Sequence, residues 1–291
     1  MNKIAARKPA FLLRFMLAQA GRQFHLFGVL AGHARRATTA AIVALVSAQF
    51  CQMLALFLPL KVIIMLGSEG VPRYFQSFMS EASRDSWILG LVAATVIVYA
   101  LSIVLNLVAN RFIVRVGHRI LAIYSQPGEK QKNKSIRQIH ALTCRSHANL
   151  MMFILGAIVM LALNPLIMLI ATLFVVVQVL VTEAILESQR GGLAAWLRQG
   201  IRKKYTLYLQ YLAAANFLFV FFLLVADYML LEGQNIIIAI LTLLMARRAF
   251  QSLGAYINGS IKLYHDRGKV RQHLKLDTLT PGGTETGEEA H

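Results

Sequence analysis

The sequence predicts an all-α membrane protein with six transmembrane helices, and three observations carry that prediction. Six long apolar stretches follow one another, roughly Ala37–Leu66, Trp87–Asn110, Leu150–Leu163, Pro165–Thr182, Tyr205–Ala226 and Gln234–Ala246 with its continuation. The segments between them alternate in net charge. The composition is 57% hydrophobic against 15% charged residues, with a mean hydropathy of +0.58, which excludes an ordinary soluble domain. A crossing needs about 20 predominantly apolar residues. Inside hydrocarbon each segment has to satisfy its own backbone amides, so each crossing is a helix.

Charge sets the expected orientation. Residues 1–37 hold seven Lys and Arg and no acid, and residues 111–148 hold eight against Glu129. Residues 183–205 hold five against Glu183 and Glu187. Between these, residues 67–86 hold two Arg against Glu69, Glu81 and Asp85, and the turn near Asp227 and Glu232 is acidic. Lys and Arg collect in cytoplasmic loops, so the reading is a multi-pass protein of the bacterial inner membrane with both termini in the cytoplasm. The formal net charge of +17 then needs no nucleic acid partner, because juxtamembrane cations attract anionic lipid. Cys51 lies in the first span and Cys144 in a cytoplasmic loop. Two thiols in such different surroundings predict no disulfide and a reducing compartment.

Taken in order, residues 1–36 are expected to form a cytoplasmic amphipathic segment rather than a cleavable signal. Arg14, Gln19, Arg22, Gln23 and His25 interrupt its apolar run, while Phe11, Phe15, Phe24 and Phe27 suit a lipid-facing side. Residues 37–274 form the six-helix domain. The first external connection spans about Gly67 to Ser86. The second helix is expected to run past Asn110 into the cytoplasm, because Phe112, Ile113, Val116, Ile120, Leu121 and Ile123 keep near-helical spacing. A polar bend with Pro127 and Gly128 precedes another helical pattern, Ile136–His147, that leads back to the membrane. Asn164–Pro165 divides one apolar run in two, as a proline disfavours a helical residue before it. The sixth helix has a short apolar part, and Phe250, Leu253, Tyr256, Ile257, Ile261 and Leu263 extend it inward. Residues 275–291 read as a disordered acidic tail.

Three stretches in this plan resemble the membrane domain of exporter-type ABC transporters. LALFLPLKVIIMLGSEGVPRYF (Leu54–Phe75) is similar to the end of that family's first helix, and LSIVLNLVANRFIVRVGHRIL (Leu101–Leu121) to its second, with regularly spaced Arg. EGQNIIIAILTLLMARRAFQSLGAYINGSIKLYHDRGKVRQHL (Glu232–Leu274) resembles the sixth helix of type I secretion and related peptide exporters. The resemblance covers roughly Phe24 to Leu274 and rests on order, spacing and loop sizes. It implies a half-transporter fold that forms a translocation pathway as a homodimer or heterodimer. The chain has no G-x-x-x-x-G-K-[ST], since Gly268–Lys269 is followed by Val270 and lacks the upstream glycine. The resemblance therefore implies no enzyme activity or cofactor in this chain, with ATP acting through a separate cytoplasmic ATPase subunit. The brevity of Glu183–Lys204, where that family's fourth and fifth helices extend far beyond the membrane, supports a second reading. In it the chain is a non-transporting scaffold or accessory subunit of an envelope secretion or glycan-assembly complex.

Candidate pathway residues are the polar groups at membrane depth. Arg247 and Arg248 follow an apolar run too short to span alone, and intramembrane cations mark bundle interiors or wet cavities; the bland alternative is that both snorkel to the headgroups. Asn106 and Asn110 are four apart on the second helix, Gln49 and Gln52 three apart on the first, and Gln178 and Thr182 four apart on the fourth. Each pair suits a pathway wall or plain interhelical hydrogen bonding. Arg137 to His147 and the stretch holding Trp196, Arg202, Lys203 and Lys204 combine helical pattern with basic charge and are candidates for docking a partner. His140 and His147, one heptad apart, are expected to face solvent. No pairwise spacing among His118, His140, His147, His265 and His273 suggests a metal site.

Overall fold

The computed structural model of the protein describes residues 35–67, 84–124, 130–187, 204–230 and 236–265, with Gly21, Gly28 and Gln199 besides. Among them there is no strand. Six helices follow in order: α1 (Arg35–Gly67), α2 (Arg84–Tyr124), α3 (Lys130–Leu163), α4 (Pro165–Glu187), α5 (Tyr205–Leu230) and α6 (Ile236–His265). All six are long and apolar enough to cross a membrane, so the chain is a multi-pass α-helical membrane protein. The expected amphipathic segment lies outside the described residues, apart from the two glycines and Arg35–Arg36, which open α1. The connection after Gly67, the turn at Gly233 and the expected acidic tail also lie outside them.

Helix length separates the elements. The 41 residues of α2 measure about 62 Å at the helical rise, about twice the 30 Å of a hydrocarbon core. The 34 residues of α3 measure about 51 Å on the same rise. The extension of the second helix past Asn110, the helical stretch Ile136–His147 leading into the third apolar run and the continuation of the sixth helix past Ala246 are all present as helix. By contrast, the 23 residues of α4 measure about 35 Å and little more than cross.

The turn between α3 and α4 is as tight as Asn-Pro demands. Only Asn164 separates α3 from α4. Its side-chain Oδ1 accepts a hydrogen bond from the Ile167 amide at 3.2 Å, which caps α4. Pro165 takes the first helical position, where its missing amide costs nothing. The Asn164 amide group also donates to Asp227 Oδ2 at 3.3 Å, tying this turn to the same end of α5.

In the packing, α3 is the hub, touching α1, α2, α4 and α6, while α2 lies along α1 and α5 against α6. Val116, Ile120, Ile136, Ile139 and Leu263 form a core beyond the membrane at the basic end. Ala41, Ile42, Leu45, Ala109, Ile113, Cys144 and Ala148 join α1, α2 and α3. Met53, Met160, Val220, Met245, Ala246 and Phe250 join the other helices at membrane depth. On α2 the buried stripe Ala109, Ile113, Val116 and Ile120 keeps helical spacing, yet only 6% of its most apolar window is buried. Lipid is the solvent for the rest.

The core beyond the membrane corrects one expectation. His140 and His147 do not face solvent: they are 1% and 6% exposed. The basic end of α3 is a packed element rather than a loop helix, so the α3 face bearing these histidines turns inward. His147 Nδ1 lies 2.9 Å from the Thr143 carbonyl oxygen and His140 Nε2 3.5 Å from Cys144 Sγ.

Candidate functional site

Among the described residues two cavities carry an arginine beside other polar side chains, and the larger is a groove between α5 and α6. Its cavity of about 670 Å³ is lined by Thr206, Gln210, Arg247, Gln251 and Asn258 among Leu209, Ala213 and Phe217. Arg247, Gln251 and Asn258 share one face of α6, and Thr206, Gln210 and Phe217 share one face of α5. The two helices run antiparallel, so these faces form a ladder. At Gly254 the two helices are in ordinary contact: a Cβ there would meet the Leu209 carbonyl oxygen at 3.6 Å.

Arg247 is the deep end of that ladder. It lies about 17 Å along α6 from Ile236, near the middle of a 30 Å hydrocarbon core. Its side chain is exposed in the single chain, and its guanidinium sits 6.0 Å from the centre of the Phe217 ring, within cation–π range. Among the described residues no carboxylate lines the groove. Arg248, turned by about 100° on the helix, is half-buried, and its Nε is enclosed with no hydrogen-bond partner among the described residues.

The second place is a notch among α1, α2 and α3. Gln49, Asn106, Asn110, Arg145, Asn149 and Leu45 line a cavity of about 220 Å³. Gln49 Nε2 donates to Asn149 Oδ1 at 3.3 Å, and Arg145 Nη2 donates to Asn110 Oδ1 at 3.4 Å. Three predicted pathway residues, Gln49, Asn106 and Asn110, therefore meet, but not with Arg247. Gln178 stands apart from both places, accepting a 2.9 Å hydrogen bond from Asn216 between α4 and α5. Beside it, the Thr182 and Tyr208 hydroxyls are 2.5 Å apart. Gln52 is exposed on α1.

Of the docking candidates, Arg137 and Lys204 are exposed and His147 is buried. Trp196, Arg202 and Lys203 lie outside the described residues. Sequence reasoning missed Gln210, Gln251, Asn258, Arg145 and Asn149. Each sits four or seven residues from another polar lining residue on its own helix, a spacing that signals one shared face. Among the described residues no group of His, Cys, Asp or Glu is placed to hold a metal ion.

Compared with known proteins, the chain matches no family model, no curated relative and no solved structure. Among the described residues, the fold and these two cavities define the class: a multi-pass α-helical membrane protein with six helices long and apolar enough to cross, a groove lined by one arginine, and helices longer than a bilayer needs.

Proposed function

We propose that this chain is the membrane-spanning subunit of an ABC-type exporter of the bacterial inner membrane, forming the pathway as a dimer and driven by a separate ATPase. The observation that carries the reading is Arg247. An arginine at the centre of a lipid-facing helix costs about 2.5–3.5 kcal/mol on insertion scales. A second membrane subunit set across the α5–α6 groove turns that exposed cation into the wall of an enclosed, wet cavity. The guanidinium then favours an anionic or polar substrate. Both termini lie in the cytoplasm on this reading, where the overrunning ends of α2, α3 and α6 offer a stalk to the ATPase. Rocking of one bundle against the other alternates access, and ATP binding at the partner biases that equilibrium.

The test is affinity purification in mild detergent together with Arg247→Leu and Arg248→Leu. The expected result is recovery of a nucleotide-binding subunit, with Arg247→Leu abolishing export at normal membrane abundance. Envelope-assembly proteins recovered without any ATPase would favour the scaffold reading, which the short stretch Glu183–Lys204 supports. If both variants export like the wild type, the arginine pair marks only the inner region of the bilayer.

A further inference from the structure

We propose that the notch among α1, α2 and α3 binds the phosphodiester headgroup of an anionic lipid. This inference is independent of the transport reading.

Four carboxamides and one guanidinium converge from three helices with one leucine, and no carboxylate is among them. Arg145 spends one donor on Asn110 out of the five that a guanidinium carries. Asn106 has no hydrogen-bond partner among the described residues. Asn110 and Asn149 accept with their oxygens, and no hydrogen bond from their amide donors is found among the described residues. A convergent set of donors around one positive charge suits a group with several acceptor oxygens. Gln49 Oε1, by contrast, is enclosed and has no donor among the described residues, so it faces away from the opening and the donors alone set the preference. The volume of about 220 Å³ equals about seven water volumes, room for a phosphate and a short polyol.

Position selects a lipid over a soluble anion. Arg145 lies about 27 Å along α3 from Leu163, and Gln49 about 27 Å along α1 from Gly67. Both helix ends named are at the acidic side, so a 30 Å hydrocarbon core puts the notch at the headgroup boundary of the basic side. The notch opens sideways: Asn106, Asn110 and Arg145 are exposed. On the same helix Ile103 and Leu107, 47% and 57% exposed, continue toward the membrane centre and give an acyl chain an apolar track. Exposed Arg111 and Arg115 follow on α2 and add to the attraction for an anionic leaflet.

The experiment uses the full chain, purified in mild detergent and exchanged against equimolar phosphatidylglycerol and phosphatidylcholine, with the lipid that stays bound counted by mass spectrometry. The wild type is expected to retain phosphatidylglycerol in excess. Arg145→Gln should cut that excess about tenfold, the loss expected of one charge-assisted hydrogen bond. Asn110→Asp should abolish it while the fold survives, because the new carboxylate pairs with Arg145 and repels the phosphate. Arg119→Gln, which removes an exposed cation elsewhere on α2, should leave it unchanged. No preference in the wild type, an undiminished preference in Arg145→Gln, or an equal loss in Arg119→Gln overturns the proposal. Displacement of the bound lipid by millimolar inorganic phosphate overturns it too, by assigning the notch to a free anion.

Discussion

The α3–α6 seam and the α4–α5 flank hold together by different physics. At the seam, small residues bring two backbones close. A Cβ on Gly156 would stand 2.9 Å from the Ala249 Cβ, and one on Gly259 would stand 3.1 Å from Ser146 Oγ. Met160, Met245, Ala246 and Phe250 fill the space around that approach. The flank has polar ties instead: Asn216 to Gln178, Thr182 to Tyr208, and Asn164 to Asp227. One stacked aromatic pair, Phe174 and Phe219 with centroids 3.9 Å apart, adds to them. A third of the apolar window is buried in α3 and in α6, against 11% in α4 and 17% in α5. Lipid removes the hydrophobic drive between helices, which leaves close packing and interhelical hydrogen bonds. The chain spends the first on the seam and the second on the flank. The open α5–α6 groove lies where the two regimes meet.

The comparison breaks most readily at Gly156. Gly156→Leu should destabilise the protein by about 3 kcal/mol, the upper range for overpacking a tight site, and lower its thermal midpoint in detergent. Gly156→Ala should be milder, and adding Ala249→Gly should restore much of the loss. An unchanged midpoint for Gly156→Leu would mean that the seam is not the rigid part of the bundle. A smaller effect belongs to the turn that links the two regimes. Asn164→Ala removes the α4 cap and the tie to Asp227 and should cost about 1 kcal/mol, read as a modest shift of the same midpoint. The smallest effect is on the flank itself. A double-mutant cycle of Gln178→Ala and Asn216→Ala should give a coupling of about 0.6 kcal/mol, the average for such pairs in a membrane bundle. A coupling as large as the Gly156→Leu penalty would erase the distinction between seam and flank.

Much of the fold is legible because its causes are local. Asn164–Pro165 specifies a turn by backbone sterics alone, and the near-helical spacing from Phe112 to Ile123 and from Phe250 to Leu263 specifies helices that overrun the membrane. Packing is less legible for a physical reason. In water an apolar face has to be buried, so periodicity reports the core. In lipid both faces of α2 are apolar, and nothing in its pattern separates the side against α1 from the side in the bilayer. The same loss of information misplaced His140 and His147: their polarity suggested solvent, but a packed helix beyond the membrane encloses them.

Six apolar runs and breakers at fixed positions were enough by themselves to indicate six helices of membrane-crossing length and an all-helical membrane protein. Only the tertiary structure decided which polar residues meet. Gln49, Asn110 and Arg145 lie far apart along the chain and converge because α1, α2 and α3 share a core of Ala41, Ala109 and Ala148. Arg247 parts from Arg248 because one helical step turns the first to the groove and the second into the bundle. Helical periodicity sets the angle between neighbouring side chains, but the packing of α6 between α3 and α5 sets where that angle points.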